Sequence, residues 1–307
     1  MSRVSLISAG LVLAGLLLLG VIIGTLVRTT PIEPPPLSTE PTTPIVPAVR
    51  ATSSQLDIGT SVEGRAITVH TFGTGTDNLL LVGGIHGGYE WNSILLAYET
   101  IDWLQQNPEV IPKNLTVHII PNLNPDGLFL ATGLTGRFTS ADISSYTMHT
   151  SGEGRFNANA VDLNRNFDCK WQPSGTWRGR TVSAGTRPFS EPEAATLRDY
   201  VVNTSPIAAV FWHSQANTVY ASECEVGILP GTRTLMNAYA LAAGYSAVAS
   251  FDAYPVTGDV EGWLAKIGIP AITVELKGRL TSEWNQNRPG LEAIFSALTT
   301  SSTTNAR

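Results

Sequence analysis

Three short apolar runs, each delivering a chemically active side chain, constrain this chain most. Residues 79–85 precede His86, residues 208–212 precede His213, and residues 271–274 precede Glu275. Continuous apolar runs of this length read as strands buried on both faces. In an open α/β sheet, sites form outside the carboxyl ends of the strands, so the three side chains are expected on one rim. Two imidazoles and a carboxylate there suit a catalytic zinc, which needs three protein ligands, an open position and a nearby base.

Between these runs the pattern alternates. Residues 65–72 read as a half-buried strand and 116–120 as a further strand. Helical spacing covers 91–105, 232–243 and 289–298. Ser190 and Glu193 have the spacing of a capping box with Pro192 in the first turn, which predicts a helix to about Val202. Helices alternating with buried strands imply a single α/β domain with a mixed, mostly parallel sheet flanked by helices. Residues 126–189 have little periodicity, and a loop region of that length is usually functional.

The amino terminus has another character. Residues 4–27 carry no charge, and a helix over them would span a hydrocarbon core of roughly 30 Å. Residues 1–28 are therefore expected as a signal anchor with the remainder extracytoplasmic, or as a secretion signal if cleaved. Residues 29–55 hold seven prolines among Thr and Ser and predict an extended spacer. The catalytic domain is expected over 56–299, with a disordered tail at 300–307. A net charge of −6 excludes a basic nucleic-acid footprint. The only two cysteines, Cys169 and Cys224, are expected to be bonded to each other in an oxidising compartment.

Four constellations carry the chemistry. Glycines around His86 let the backbone turn tightly, and Glu90 follows at the start of the next helix, as a metal ligand or a carboxylate favoured by the helix dipole. Asn164 and Arg165 together suit a carboxylate, although Arg165 could instead bridge to Asp162. Ser214 beside His213 invites a serine-hydrolase reading, but the chain has no G-x-S-x-G elbow. Glu275 closes an apolar strand, where a carboxylate is rarely left without a task. His70, His118 and His149 read as structural or solvated.

Taken with the segments at 58–65, 124–127, 157–160 and 188–193, these motifs resemble the zinc carboxypeptidases of the carboxypeptidase A type, including their bacterial murein-peptide amidase branch. The resemblance implies one zinc held by His86, Glu90 and His213, with Glu275 as general base. It further implies Arg155 (or Arg137) at the scissile carbonyl, Asn164 and Arg165 at the substrate's terminal carboxylate, and Tyr254 as the substrate-capping tyrosine. Peptides with a free C-terminal carboxylate, among them cell-wall peptides, would be the substrates. Related deacylases share the Asp-Leu-Asn-Arg signature, so an N-acyl amino acid deacylase is the alternative enzyme, and a catalytically silent peptide-binding module the non-enzymatic one. The family's first metal motif is usually H-x-x-E; here it reads H-x-x-x-E, with the added residue falling in the flexible pair Gly87-Gly88.

Overall fold

A computed structural model describes residues 53–143, 152–225 and 227–304. Among the described residues ten strands are formed: β1 Ser53–Thr60, β2 Ala66–Gly73, β3 Asp77–Val82, β4 Leu115–Ile120, β5 Ser174–Trp177, β6 Arg180–Ser183, β7 Ala208–Ser214, β8 Thr218–Ala221, β9 Ser246–Val248 and β10 Ala271–Leu276. The α-helices are α1 Trp91–Gln106, α2 Pro125–Thr132, α3 Pro192–Thr204, α4 Pro230–Ala243, α5 Val260–Lys266 and α6 Trp284–Thr304. Eight strands make one mixed sheet in the order β1-β2-β4-β3-β7-β10-β8-β9, and β5 pairs with β6 as a separate hairpin. The central run β4-β3-β7-β10 is parallel, while β1-β2, β2-β4 and β10-β8 are antiparallel.

Strand parity divides the core into two layers. On β3, Leu79 and Leu81 face one layer, and Leu80 and Val82 the other. On β7, Val210 and Trp212 join the first, while Ala209 and Phe211 join the second. The first layer is packed by α1, α4 and α6, through residues such as Ile94, Leu104, Leu235, Tyr239, Leu291 and Phe295. Trp212 is fully buried there, and its indole N–H donates to Tyr239 Oη at 3.2 Å, so burial leaves no donor unmet. Ala194, Leu197 and Val201 of α3 and Trp263 and Leu264 of α5 cover the second layer.

Several elements differ from the expectations. The 79–85 run yields a strand that ends at Val82, because Gly83 bonds sideways to Ile120 O and Gly84 turns at φ +65°. His86 therefore stands in the loop beyond the strand. Conversely β7 runs through Ser214, which places His213 inside the ladder. The Ser190–Glu193 box does not form: α3 starts at Pro192 with no side-chain cap, and Glu193 instead accepts Val62 N–H at 3.1 Å and Asn157 Nδ2 at 3.0 Å. Strand β1 begins at Ser53, within the stretch read as spacer, and α6 continues to Thr304, within the stretch read as tail. The quiet region 126–189 holds most of α2 and the β5-β6 hairpin, elements too short for periodicity to reveal. Among the described residues no helix is long and apolar enough to cross a membrane; the expected anchor and most of the spacer lie outside them, as does His149.

Candidate active site

Parity carries over to the rim. His213 continues the Ala209–Phe211 face of β7, and Thr273 and Glu275 continue the Ala271 face of β10. In the parallel ladder Glu275 is paired with His213, so the two side chains stand side by side on one face. His86 and Glu90 arrive from the neighbouring loop. Gly87, at φ +47°, opens a single 3-10 turn, Gly87–Glu90, that leads into α1. This turn absorbs the additional residue of the H-x-x-x-E spacing, and it brings Glu90 back to the histidine.

The three side chains converge. His86 Nδ1 lies 3.0 Å from Glu90 Oε1, and His213 Nδ1 lies 3.2 Å from both His86 Nδ1 and Glu90 Oε2. A tetrahedral zinc with ligand bonds of about 2.0–2.1 Å holds its ligand atoms about 3.3 Å apart. The two imidazole nitrogens match that edge with each other at 3.2 Å, and each lies within 3.2 Å of a different oxygen of Glu90, so the three side chains can close on one cation. The far nitrogens are backed by acids. His86 Nε2 is 3.3 Å from Asp162 Oδ1, and His213 Nε2 is 3.2 Å from Glu261 Oε1. Backing carboxylates of this kind fix the tautomer and orientation of a ligating histidine. All five side chains are at least 96% buried.

The charges respond to this crowding. Burial disfavours a charged His213 ring, but the adjoining carboxylates of Glu261 and Glu90 outweigh burial and hold it well above the ordinary histidine range. Burial likewise opposes ionisation of Glu90 and Asp162, yet the histidines hold Glu90 well below the usual carboxylate range, and Arg155 does so for Asp162. Glu275 goes the other way: burial, reinforced by the Glu90 carboxylate, pushes it up to about 7. An acid poised there can both take and return a proton near neutral pH.

Arg155 donates from Nε and Nη2 to Asp162 Oδ2 at 3.0 and 2.9 Å, stands 3.5 Å from Glu90 Oε1, and lies over the Trp177 ring. Arg137 is elsewhere, paired with Asp102 and Tyr98 O. Arg165 does not bridge to Asp162. Its Nη1 donates to Asn164 O and its Nη2 to Thr176 O, while its buried Nε has no protein partner. Asn164 Oδ1 accepts Val260 N–H at 2.9 Å, which ties the pair to α5. Tyr254 is half-buried and packs on Phe251 at 4.8 Å. Glu90, Arg155, Asn164, Arg165, Tyr254 and Glu275 line one cavity of about 930 Å³, as do Asp259 and Glu261. The Cys169–Cys224 disulfide, Cα–Cα 6.0 Å, joins the loop after Asn164–Arg165 to the loop after β8 at its edge.

Ser214 supports rather than attacks: its hydroxyl donates to Asn92 Oδ1 and its N–H to Glu90 Oε2. His118 is satisfied by Tyr200 Oη and Asn78 Oδ1. The two backing acids escaped the sequence reading. The sequence offers Asp162 as a partner for Arg165, and Glu261, with Asp259, either as a selector of a basic or diamino-acid substrate residue or as a helix-start carboxylate.

The chain has relatives among known proteins. Gamma-D-glutamyl-L-diamino acid endopeptidase 1 of Lysinibacillus sphaericus is 25% identical over 245 residues, covering 71% of this chain and 59% of that protein. Human carboxypeptidase Z is 34% identical over 123 residues, 36% of this chain and 17% of its own length. The chain thus spans less than two thirds of these relatives. In fold it is similar to bovine thrombin-activatable fibrinolysis inhibitor, solved with tick carboxypeptidase inhibitor, with a TM-score of 0.64 at 20% identity over 82% of this chain and 91% of that one. The murein-tripeptide amidase of Escherichia coli O157 aligns with a TM-score of 0.55 at 20% identity, over 79% and 91%. The sequence profile of the zinc carboxypeptidases matches residues 50–285, and with more than half its length matched the chain belongs to the zinc carboxypeptidase family.

Proposed function

We propose that the chain is an extracytoplasmic zinc metallocarboxypeptidase that removes the C-terminal residue of peptides. One observation carries this reading: a buried His-Glu-His donor set, a raised carboxyl at Glu275 and the Asn164–Arg165 pair meet in a single cavity. Zinc held by His86, Glu90 and His213 would supply a Lewis acid for the scissile carbonyl and its attacking water. Glu275 takes a proton as the water oxygen attacks the carbonyl carbon, and passes it to the amide nitrogen as the C–N bond breaks. Arg155 donates to the carbonyl oxygen as that atom gains charge. Asn164 and Arg165 bind the terminal carboxylate, for which the free Nε of Arg165 is a donor in reserve. Tyr254 closes over the substrate. The products are one amino acid and a peptide shorter by one residue.

The apolar run 4–27 and the proline-rich segment after it support a membrane tether, and the disulfide suits an oxidising compartment. Cell-wall peptides are the proposed substrate class, supported by the names of two similar proteins, the gamma-D-glutamyl-L-diamino acid endopeptidase and the murein-tripeptide amidase.

The test compares one peptide as free acid and as C-terminal amide, on the parent chain and on Arg165→Ala. Removing one partner of a buried ion pair costs about 3–5 kcal/mol, so both changes should lower kcat/KM by orders of magnitude. Equal cleavage of acid and amide would replace the exopeptidase reading with an endopeptidase one.

A further inference from the structure

Of the chain's 19 lysines and arginines, six line the cavity: Arg155, Arg165, Lys170, Arg178, Lys277 and Arg279. A net charge of −6 does not foreshadow that concentration. Arg155 is ion-paired with Asp162 and Glu90, and Arg165 is assigned above to the terminal carboxylate. The other four meet no carboxylate within ion-pair distance among the described residues.

Two of them share one ring. The Arg279 guanidinium stands 3.9 Å from the centroid of Tyr89, and Arg178 Nη1 lies 3.4 Å from Tyr89 Oη. Tyr89 is itself buried and held edge-on against Trp177 at 5.3 Å. Arg279 Nε is shielded from solvent and has no hydrogen-bond partner. Two like charges on one ring, with a donor unspent, are relieved by an anion that both can reach.

Position says which anion. Tyr89 is next in the chain to Glu90, and Arg279 follows Glu275 by four residues, so the pair stands beside the metal ligands and the base. Asn164 is bonded to Val260 of α5, and Arg165 to Thr176 of β5, two residues before Arg178 in the same hairpin. A peptide anchored at Arg165 and crossing the ligands brings its next residue to Tyr89. We propose that Arg178 and Arg279, seated on Tyr89, form a second carboxylate subsite that selects an acidic group on the substrate's penultimate residue, the acyl side of the scissile bond. The proposal rests on the carboxypeptidase reading. Lys170 and Lys277, exposed at the rim, add a screened attraction for the same charge.

The experiment uses two N-acylated peptides that differ only in Glu or Gln at the penultimate position, with the full zinc-loaded chain. The Glu peptide is expected to have a kcat/KM at least about tenfold higher, since hydrogen bonds to a charged partner are worth roughly twice neutral ones. In the double variant Arg178→Gln, Arg279→Gln the ratio should fall toward one, and Arg178→Lys, Arg279→Lys should restore part of it. A ratio near or below one in the parent chain overturns the subsite, as does an unchanged ratio in the double variant. If neither peptide is cleaved, the carboxypeptidase reading fails on its own. Calorimetric binding of the two peptides then still decides the subsite, and equal Kd values overturn it.

Discussion

Replacing Glu261 by Gln removes one charge from behind a metal-facing histidine and little else. Glu261 Oε1 lies 3.2 Å from His213 Nε2 and accepts Thr273 Oγ1–H at 2.9 Å, while Oε2 is 3.5 Å from Asn164 Nδ2. Gln preserves the length and one acceptor, but it lacks the charge that makes the ring a stronger donor to zinc. Loss of such a partner typically costs 10–100-fold in metal affinity, about 1.4–2.7 kcal/mol. The upper half of that range is expected, because Glu261 is only 2% exposed and water has little room to substitute. A second effect is a raised KM for free-acid peptides, transmitted through Asn164. The assay is competition for zinc against a chromophoric chelator at fixed pH and ionic strength. Asp259→Asn removes a neighbouring charge that caps α5 at Gly262 N–H without touching His213, and it should move zinc affinity less than Glu261→Gln does. An unchanged zinc Kd in Glu261→Gln would refute the idea that this acid tunes His213.

Glu275→Gln should retain zinc and substrate binding but lose about 10²–10⁴-fold in kcat, measured under saturating substrate; a parental kcat would exclude Glu275 as the base. Zinc binding should release protons near pH 7, because His213, held well above its ordinary range, must give up its proton to ligate, and Glu275, at about 7, ionises beside the cation. Zinc affinity should therefore rise with pH, by about tenfold per unit for each proton released. Calorimetry in buffers of different ionisation enthalpy counts those protons, and a pH-independent affinity contradicts the assignment. Cys169→Ser with Cys224→Ser opens a loop of 55 residues and should lower unfolding free energy by roughly 4 kcal/mol, read from urea unfolding. An unchanged midpoint would show that the bridge does not restrain the unfolded chain.

The mixed sheet was legible because buried parallel strands advertise themselves as apolar runs, and the rim followed from where those runs stop. What the runs could not convey was their length. Gly83 and Gly84 end β3 early, so His86 reaches its neighbours from a loop rather than from a strand end. The hairpin β5-β6 and strands β8 and β9 were invisible because three or four residues carry no period, and pairing partners decide their state. The same limit hid the functions of Asp162 and Glu261. An acid in a loop or in a first helical turn has several ordinary explanations, and only the three-dimensional approach of an imidazole nitrogen chooses among them.

The pairing of Glu275 with His213 across β7 and β10 has a consequence for how such an enzyme can change. Their spacing is the repeat of a β-ladder, about 4.8 Å, which is set by backbone hydrogen bonds rather than by any loop. The spacing of Glu275 from His213, the proposed base and zinc ligand, is thus anchored in the backbone of the scaffold. The walls around it, the hairpin carrying Arg178, the turn bearing Arg279 and the disulfide-linked loops, can be rebuilt residue by residue to admit new peptides while the proton-transfer geometry stays as the sheet made it.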